Sequence, residues 1–322
     1  MLATRGTTVP AGEHWAHEVK WDGVRVLADS AAGTDGGVRL SSRTERDITV
    51  AWPDVALPVG RDLLVDGEVI ALGGRGTPDF RALGERLHVA RAAAAARLAQ
   101  RVPATFMVFD LLRLDGRDLR DLPWSQRRAL LEDLAGSTLA AVGWQVPATY
   151  DDGATLHEAT LAQGLEGVVS KRRDARYATG ARSPHWVKLA HRHRGSYVVG
   201  GWRVQEGTGT SPGSPGRLAA LLVGEPTADG LAYRGRVGSG IGARASRVLA
   251  AAVEPLARAD SPFADAVPPA DARGTRWVEP VLVVDVDTHG LGYRRLRQPS
   301  LQGLREDLVA EDLAPADGRP AR

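Results

Sequence analysis

Lysine is the informative residue of this chain, because only three of its 41 basic residues are lysine and the rest are arginine. They are Lys20, Lys171 and Lys188. Such a bias replaces lysine wherever a positive charge suffices. Arginine stays protonated in proteins, whereas a lysine amine can lose its proton and attack an electrophile. The survivors are candidates for chemistry that arginine cannot perform; chance retention of any one is the competing explanation. Lys20 has the sharpest context, Lys20-Trp21-Asp22-Gly23-Val24-Arg25, directly after the short strand candidate His17-Glu18-Val19. An amine, a carboxylate and a guanidinium are thus delivered to the end of one strand. That set suits attack on phosphorus: the amine as nucleophile, the carboxylate holding a metal or orienting groups, the guanidinium neutralising phosphate oxygens. A surface β-turn is the alternative, since Asp-Gly is a common turn pair.

Other residues carry weaker signals. Asp66 and Glu68 are two apart in a strand-like run, so both point to one face, as a merely solvated pair would. Lys171 opens a run with Arg172 and Arg173, two arginines that read as solvated or facing nucleic acid. The eight histidines show no tight ligand spacing, so no metal is assigned to them. Absence of cysteine excludes disulfides, thiolate zinc sites and cysteine nucleophiles. No apolar run of about 18 residues is present to span a membrane. Met1-Leu2-Ala3-Thr4-Arg5 lacks the apolar core of a signal peptide, so a soluble intracellular protein is expected.

The elements that must position these residues change character near residue 190. At 322 residues, two domains are expected. In the first part, strand-like runs (Val24–Asp29, Val38–Ser41, Leu63–Leu72, Ala104–Leu112, Gly167–Ser170) alternate with helix-like ones (Phe80–Leu87, Val89–Ala99, Ser125–Leu134, Leu156–Gln163). The alanine-rich run Val89–Ala99 reads as a plain surface helix. His191-Arg192-His193-Arg194-Gly195 reads as a basic linker. Beyond it, Tyr197–Arg203, Leu218–Val223, Leu231–Val237 and Val281–Val286 read as strands around one helix, Ala243–Ala257. Short strands plus one helix fit a small Greek-key barrel such as the OB-fold. Glu206–Gly216 reads as a flexible loop and Leu308–Arg322 as a polar tail expected to be disordered. Formal charge is only +2 overall, yet residues 191–305 carry 15 arginines against 10 acids. That stretch is where a phosphate backbone could be gripped.

Seven segments in order resemble the nucleotidyltransferase superfamily of ATP-dependent DNA ligases, RNA ligases and capping enzymes. They are K-W-D-G-V-R at Lys20; Ser42-Arg43-Thr44-Glu45-Arg46-Asp47-Ile48-Thr49; Asp66-Gly67-Glu68-Val69; and Phe109-Asp110-Leu111-Leu112 followed by Leu114-Asp115-Gly116. They continue with Glu166-Gly167-Val168-Val169-Ser170-Lys171-Arg172, Trp186-Val187-Lys188, and the run from Leu296 to Asp307. The spelling, with the Met-Leu-Ala-Thr opening and Val199-Gly200-Gly201-Trp202, is similar to the ligase module of bacterial end-joining enzymes of the ligase D type. All three lysines fall inside these segments.

The resemblance implies an α+β adenylation (nucleotidyltransferase) domain over 1–190, a linker over 191–195, an all-β OB-fold barrel over 196–307 and a tail over 308–322. It implies that Lys20 attacks the α-phosphate of ATP to form lysyl-AMP, with Lys188, Arg25 and Arg43 acting on phosphate. It implies that Glu68, Phe109, Lys171, Arg297 and Arg305 bind the nucleotide: Phe109 by stacking on adenine, Glu68 near the ribose, Arg297 and Arg305 toward the leaving pyrophosphate. Read alone, a phenylalanine such as Phe109 is more often a core residue than a stacking platform. Asp22 and Glu166 are implied to lie near Mg²⁺ or Mn²⁺. Nicked or broken duplex DNA is the implied substrate and a Ku-type end-binding protein the implied partner, for a cytoplasmic monomer at the nucleoid.

Three positions depart from the pattern. A second lysine is expected where Ala190 stands, a lysine where Leu308 stands, and an aromatic residue where Leu301 stands. Losing one charged phosphate contact costs about 1.5–3 kcal/mol, so a slowed first step is expected. Three functions therefore stay open: an ATP-dependent DNA ligase, an RNA ligase or capping-type enzyme, and a degenerate ligase that only binds DNA ends.

Overall fold

The computed structural model describes residues 1–31, 33, 37–57, 59–74, 76–205, 217–290 and 293–313. The loop expected over Glu206–Gly216 and most of the expected tail lie outside them. The chain divides into two compact units, Met1–His191 and Arg192–Arg322.

In the first unit, β1 (Leu2–Arg5), β2 (Trp15–Val19), β3 (Val24–Asp29), β4 (Arg39–Ser42), β5 (Leu63–Ile70), β6 (Thr105–Leu114), β7 (Arg117–Asp118), β8 (Gly167–Arg172) and β9 (Arg182–Ala190) form two sheets. One has the order β1-β9-β8-β2 and the other β4-β3-β5-β6-β7. Four helices accompany them: α1 (Phe80–Gly84), α2 (Ala92–Arg101), α3 (Trp124–Leu134) and α4 (Gly153–Ala162). Alternation along the strands sorts the side chains of the second sheet. Val26 and Ala28 on β3, and Leu63, Val65 and Val69 on β5, enter one apolar core with Trp52, Leu83, Phe106, Leu131 and Trp144. Their neighbours Leu27 and Leu64 turn to the opposite face, where they pack with Met1, Leu112, Tyr177, Phe109 and Trp186. Arg25, Asp66 and Glu68 share that parity. As expected, α2 is largely exposed, with Ala95 its one buried residue.

The second unit holds β10 (His193–Val204), β11 (Leu218–Thr227), β12 (Gly230–Val237), α5 (Ala243–Val253), β13 (Ala257–Arg258), α6 (Pro269–Ala272), β14 (Arg276–Val278), β15 (Val283–Thr288) and β16 (Ser300–Arg305). The pairings between these strands are all antiparallel. The long β10 serves three neighbours, β15 along its first half and β11 and β14 along its second. One strand bridging several partners curls the sheet around a core of Val199, Trp202, Leu221, Val223, Leu249 and Val284. The linker expectation is corrected here. Strand β9 runs to Ala190 and β10 already opens at His193, because the polar run His193-Arg194-Gly195 pairs with Val286-Asp287-Thr288.

Candidate active site

A cavity of about 200 Å³ opens between the two sheets of the first unit, lined by Lys20, Arg25, Arg43, Glu68, Phe109, Lys171, Trp186 and Lys188 among others. Strand register explains the convergence. Lys188 lies opposite Val169, which lies opposite Glu18; Lys171 lies opposite Trp186 on one side and Ala16 on the other. Residues two apart share a face, so Glu18, Lys171, Trp186 and Lys188 all project from one side of this sheet. Lys20 follows the end of β2, fixed by its backbone N–H donating to Gly167 O at 2.8 Å. Across the cavity Arg25 pairs with Glu68 in register.

Two glycines let the backbones approach. A Cβ at Gly23 would lie 2.2 Å from the carbonyl oxygen of Val69. Its φ is not in the left-handed region, so close packing explains the glycine better than turn chemistry does. Gly167 has φ +144°, and a Cβ there would lie 2.2 Å from Leu189 O.

The charged groups are held very differently. Lys20 Nζ donates to Glu166 Oε2 at 2.6 Å. Lys171 is 1% exposed; its Nζ pairs with Glu18 Oε2 at 2.6 Å and donates to Phe109 O at 3.0 Å. It also lies 4.6 Å from the ring centroids of both Phe109 and Trp186. Arg128 on α3 flanks Glu18 at 3.6 Å. Burial disfavours both members of the Glu18–Lys171 pair as ions, and their mutual attraction opposes it. Arg25 grips Asp66 bidentately, at 2.9 and 2.6 Å, and also donates to Met1 O. Tyr177 donates its hydroxyl to Asp66 at 2.7 Å. Beneath it, fully buried Arg127 and Asp110 pair at 2.7 and 2.8 Å. Burial pushes the Glu68 carboxyl up to about 8, against the pull of Lys20 and with the push of Glu166. Burial, then Lys20, holds the Lys188 ammonium below the usual lysine range.

Seven of the residues named from the sequence line this cavity; four do not. Asp22 and Glu166 lie outside the lining, Glu166 bonded to Lys20. Arg297 and Arg305 belong to the second unit, where Arg305 pairs with Asp285 and Asp307 and Arg297 lies against the Tyr293 ring. Arg25 and Lys171, named for phosphate and nucleotide, are already engaged by carboxylates. Glu18, Asp66, Arg182, Trp186 and Tyr177 contribute walls or supports that went unassigned. Glu18 was legible as an acid two residues before Lys20 on the same strand face. Arg127 left no signal, because its partner Asp110 is 17 residues away. Among the described residues no group of three His, Cys, Asp or Glu could hold a metal alone. The donors present fit a hard cation that brings phosphate oxygens with it, taking one or two carboxylates from the protein.

The ATP dependent DNA ligase domain matches residues 1–189, and the ATP dependent DNA ligase C terminal region matches residues 214–308. This chain belongs to the ATP-dependent DNA ligase family. The "Multifunctional non-homologous end joining protein LigD" of Mycobacterium bovis is 38% identical over 314 residues, 95% of this chain and 38% of that protein. A "Probable DNA ligase" of Streptomyces coelicolor is 39% identical over 227 residues, 67% of this chain and 41% of that protein. The chain thus spans about two fifths of the length of these curated relatives. Among solved structures, "mycobacterial DNA ligase D complexed with ATP and MES" superposes with a TM-score of 0.55 at 35% identity, covering 97% of this chain and 96% of that one. The ligase chain therefore pairs an α+β adenylation domain with an OB-fold domain, in line with the fold expected from the sequence. No helix among its described residues is long and apolar enough to cross a membrane.

Proposed function

We propose that this ligase chain seals breaks in duplex DNA through a lysyl-AMP intermediate, in end-joining repair. One observation carries the reading: every lysine in a chain nearly purged of lysine lines one cavity, between aromatic rings and carboxylates. In the first step the Lys20 ammonium, donating to Glu166, gives up a proton to solvent, and the free amine attacks the α-phosphate of ATP. An N–P bond forms and pyrophosphate departs with the electrons of the broken P–O bond. Lys188, Arg43 and Arg182, all in the cavity wall, offset the charge that builds on phosphate. Phe109 and Trp186 offer apolar walls to the base. Glu68, protonated near neutral pH, can donate a hydrogen bond to a ribose oxygen. Lys171 and Arg25 act from behind, each fixed by its carboxylate. Asp22 and Glu166 would hold Mg²⁺ or Mn²⁺, which when bound withdraws charge from phosphate oxygens.

AMP then passes to a DNA 5′-phosphate, and the adjacent 3′-hydroxyl displaces it. The OB-fold unit, with its arginine excess, grips the phosphate backbone, and Arg297 and Arg305 assist from there when the nucleotide is activated. A Ku-type end-binding protein is the partner that end-joining relatives suggest, and the chain acts as a monomer. Incubation with α-labelled ATP and a divalent metal, then denaturing electrophoresis, tests the reading. Label should stay on the protein and move to a 5′-phosphorylated nick. An unlabelled protein that still binds nicks would be a DNA-end-binding module and not a ligase.

A further inference from the structure

The three amines of the cavity are not equally occupied. Lys20 donates to Glu166 and Lys171 to Glu18 and Phe109. Lys188 lines the cavity, is only half-buried, and its side chain makes no hydrogen bond or ion pair among the described residues. Burial, then Lys20, holds its ammonium below the usual lysine range; Glu166 pulls the other way, and Arg182 and Arg43 add to the lowering. Its amine is in direct salt-bridge contact with no carboxylate among the described residues, and the cavity around it is also lined by Lys20, Arg25, Arg43 and Arg182.

We infer that Lys188 is a site of covalent acylation by anionic acyl donors of the acyl phosphate class, and that this acylation competes with ATP. The phosphate of such a donor fits the cationic wall formed by Arg43, Arg182 and Lys20, which brings its carbonyl carbon to an uncommitted amine. The free amine of Lys188 attacks that carbon and a C–N amide bond forms. The C–O bond to phosphate breaks, inorganic phosphate leaves with the bonding pair, and the amine proton passes to water. Nothing is oxidised or reduced. Composition sharpens the consequence. In an ordinary protein such donors spread over surface lysines, but here none of the three lysines is exposed. Acylation is therefore funnelled to the functional cavity and removes one of its cations. The modified chain should bind nucleotide more weakly.

The test is to treat the whole chain with acetyl phosphate, without added metal, and map acetyl-lysine by peptide mass spectrometry. Modification at Lys188 should be about tenfold or more faster in the folded chain than in urea, the gain expected of a cleft that concentrates anions. It should exceed modification at Lys20, leave Lys171 untouched, and fall about tenfold under saturating ATP. Lys188→Arg should abolish the signal without moving it to Lys20. Equal rates in folded and unfolded chain, insensitivity to ATP, or equal acetylation of Lys20 would overturn the inference. The readout is mass and not sealing, so a chain that takes label from ATP but shows none of this keeps the ligase reading and loses only this one.

Discussion

The two units use positive charge in opposite ways. In the first, cations converge inward: Lys171 and Arg127 are buried, and each faces one carboxylate in a fixed geometry. In the second, Arg294, Arg236 and Arg194 stand at the surface, 77%, 49% and 58% exposed, beside Asp265, Asp271 and Asp287. Exposed pairs of that kind contribute about 0–1 kcal/mol and are exchangeable. Buried pairs are not exchangeable, because loss of one partner strands the other in a low dielectric. Lysine survives only in the first unit, where a particular amine is needed. The barrel, which needs only charge, has none.

The severest test of this contrast is Lys20→Arg. It keeps the charge and removes the nucleophile, so lysyl-AMP should vanish altogether on a labelled gel. Persistent label would dissolve the distinction between amine and charge. Next in size is Arg127→Met, which leaves Asp110 buried and unpaired. It should cost about 3–5 kcal/mol in denaturant unfolding; a loss below about 1 kcal/mol would mean that the buried pair is no more committed than a surface one.

A third test adds charge where it is missing. Position 190 is two residues past Lys188 on β9 and shares its strand face. Ala190→Lys should speed single-turnover adenylylation by about tenfold, the lower end expected of one charged phosphate contact. Sealing of a pre-adenylated nick should change less. No change in adenylylation would show that Arg43 and Arg182 already suffice.

Glu68 gives a smaller, pH-dependent effect. Its carboxyl is raised from 4.5 to about 8, so between those values the folded chain keeps a proton that the unfolded chain has released. Stability from this group is complete below the lower value and declines as pH rises through the upper one. Glu68→Gln should therefore flatten the fall of Tm across that window; parallel curves would remove burial as the cause. Least affected should be Arg294→Lys on the barrel, with stability unchanged within about 0.5 kcal/mol.

What the sequence determined by itself was the chemistry and its carriers. Period-two strands placed Asp66 with Glu68, the scarcity of lysine singled out Lys20, Lys171 and Lys188, and the ordered motifs gave the family and the two-part fold. Tertiary structure decided how each charge is spent. Whether Lys171 faces a nucleotide or Glu18 depends on strand register across β2 and β8, which local pattern does not encode. That Arg25 belongs first to Asp66, that Arg127 reaches Asp110, and that Lys188 alone of the three lysines has an amine in no direct hydrogen bond or salt bridge among the described residues are outcomes of packing between distant segments. A side chain's type states what it can bond to; only the fold, by fixing distance and excluding water, selects which bond it makes.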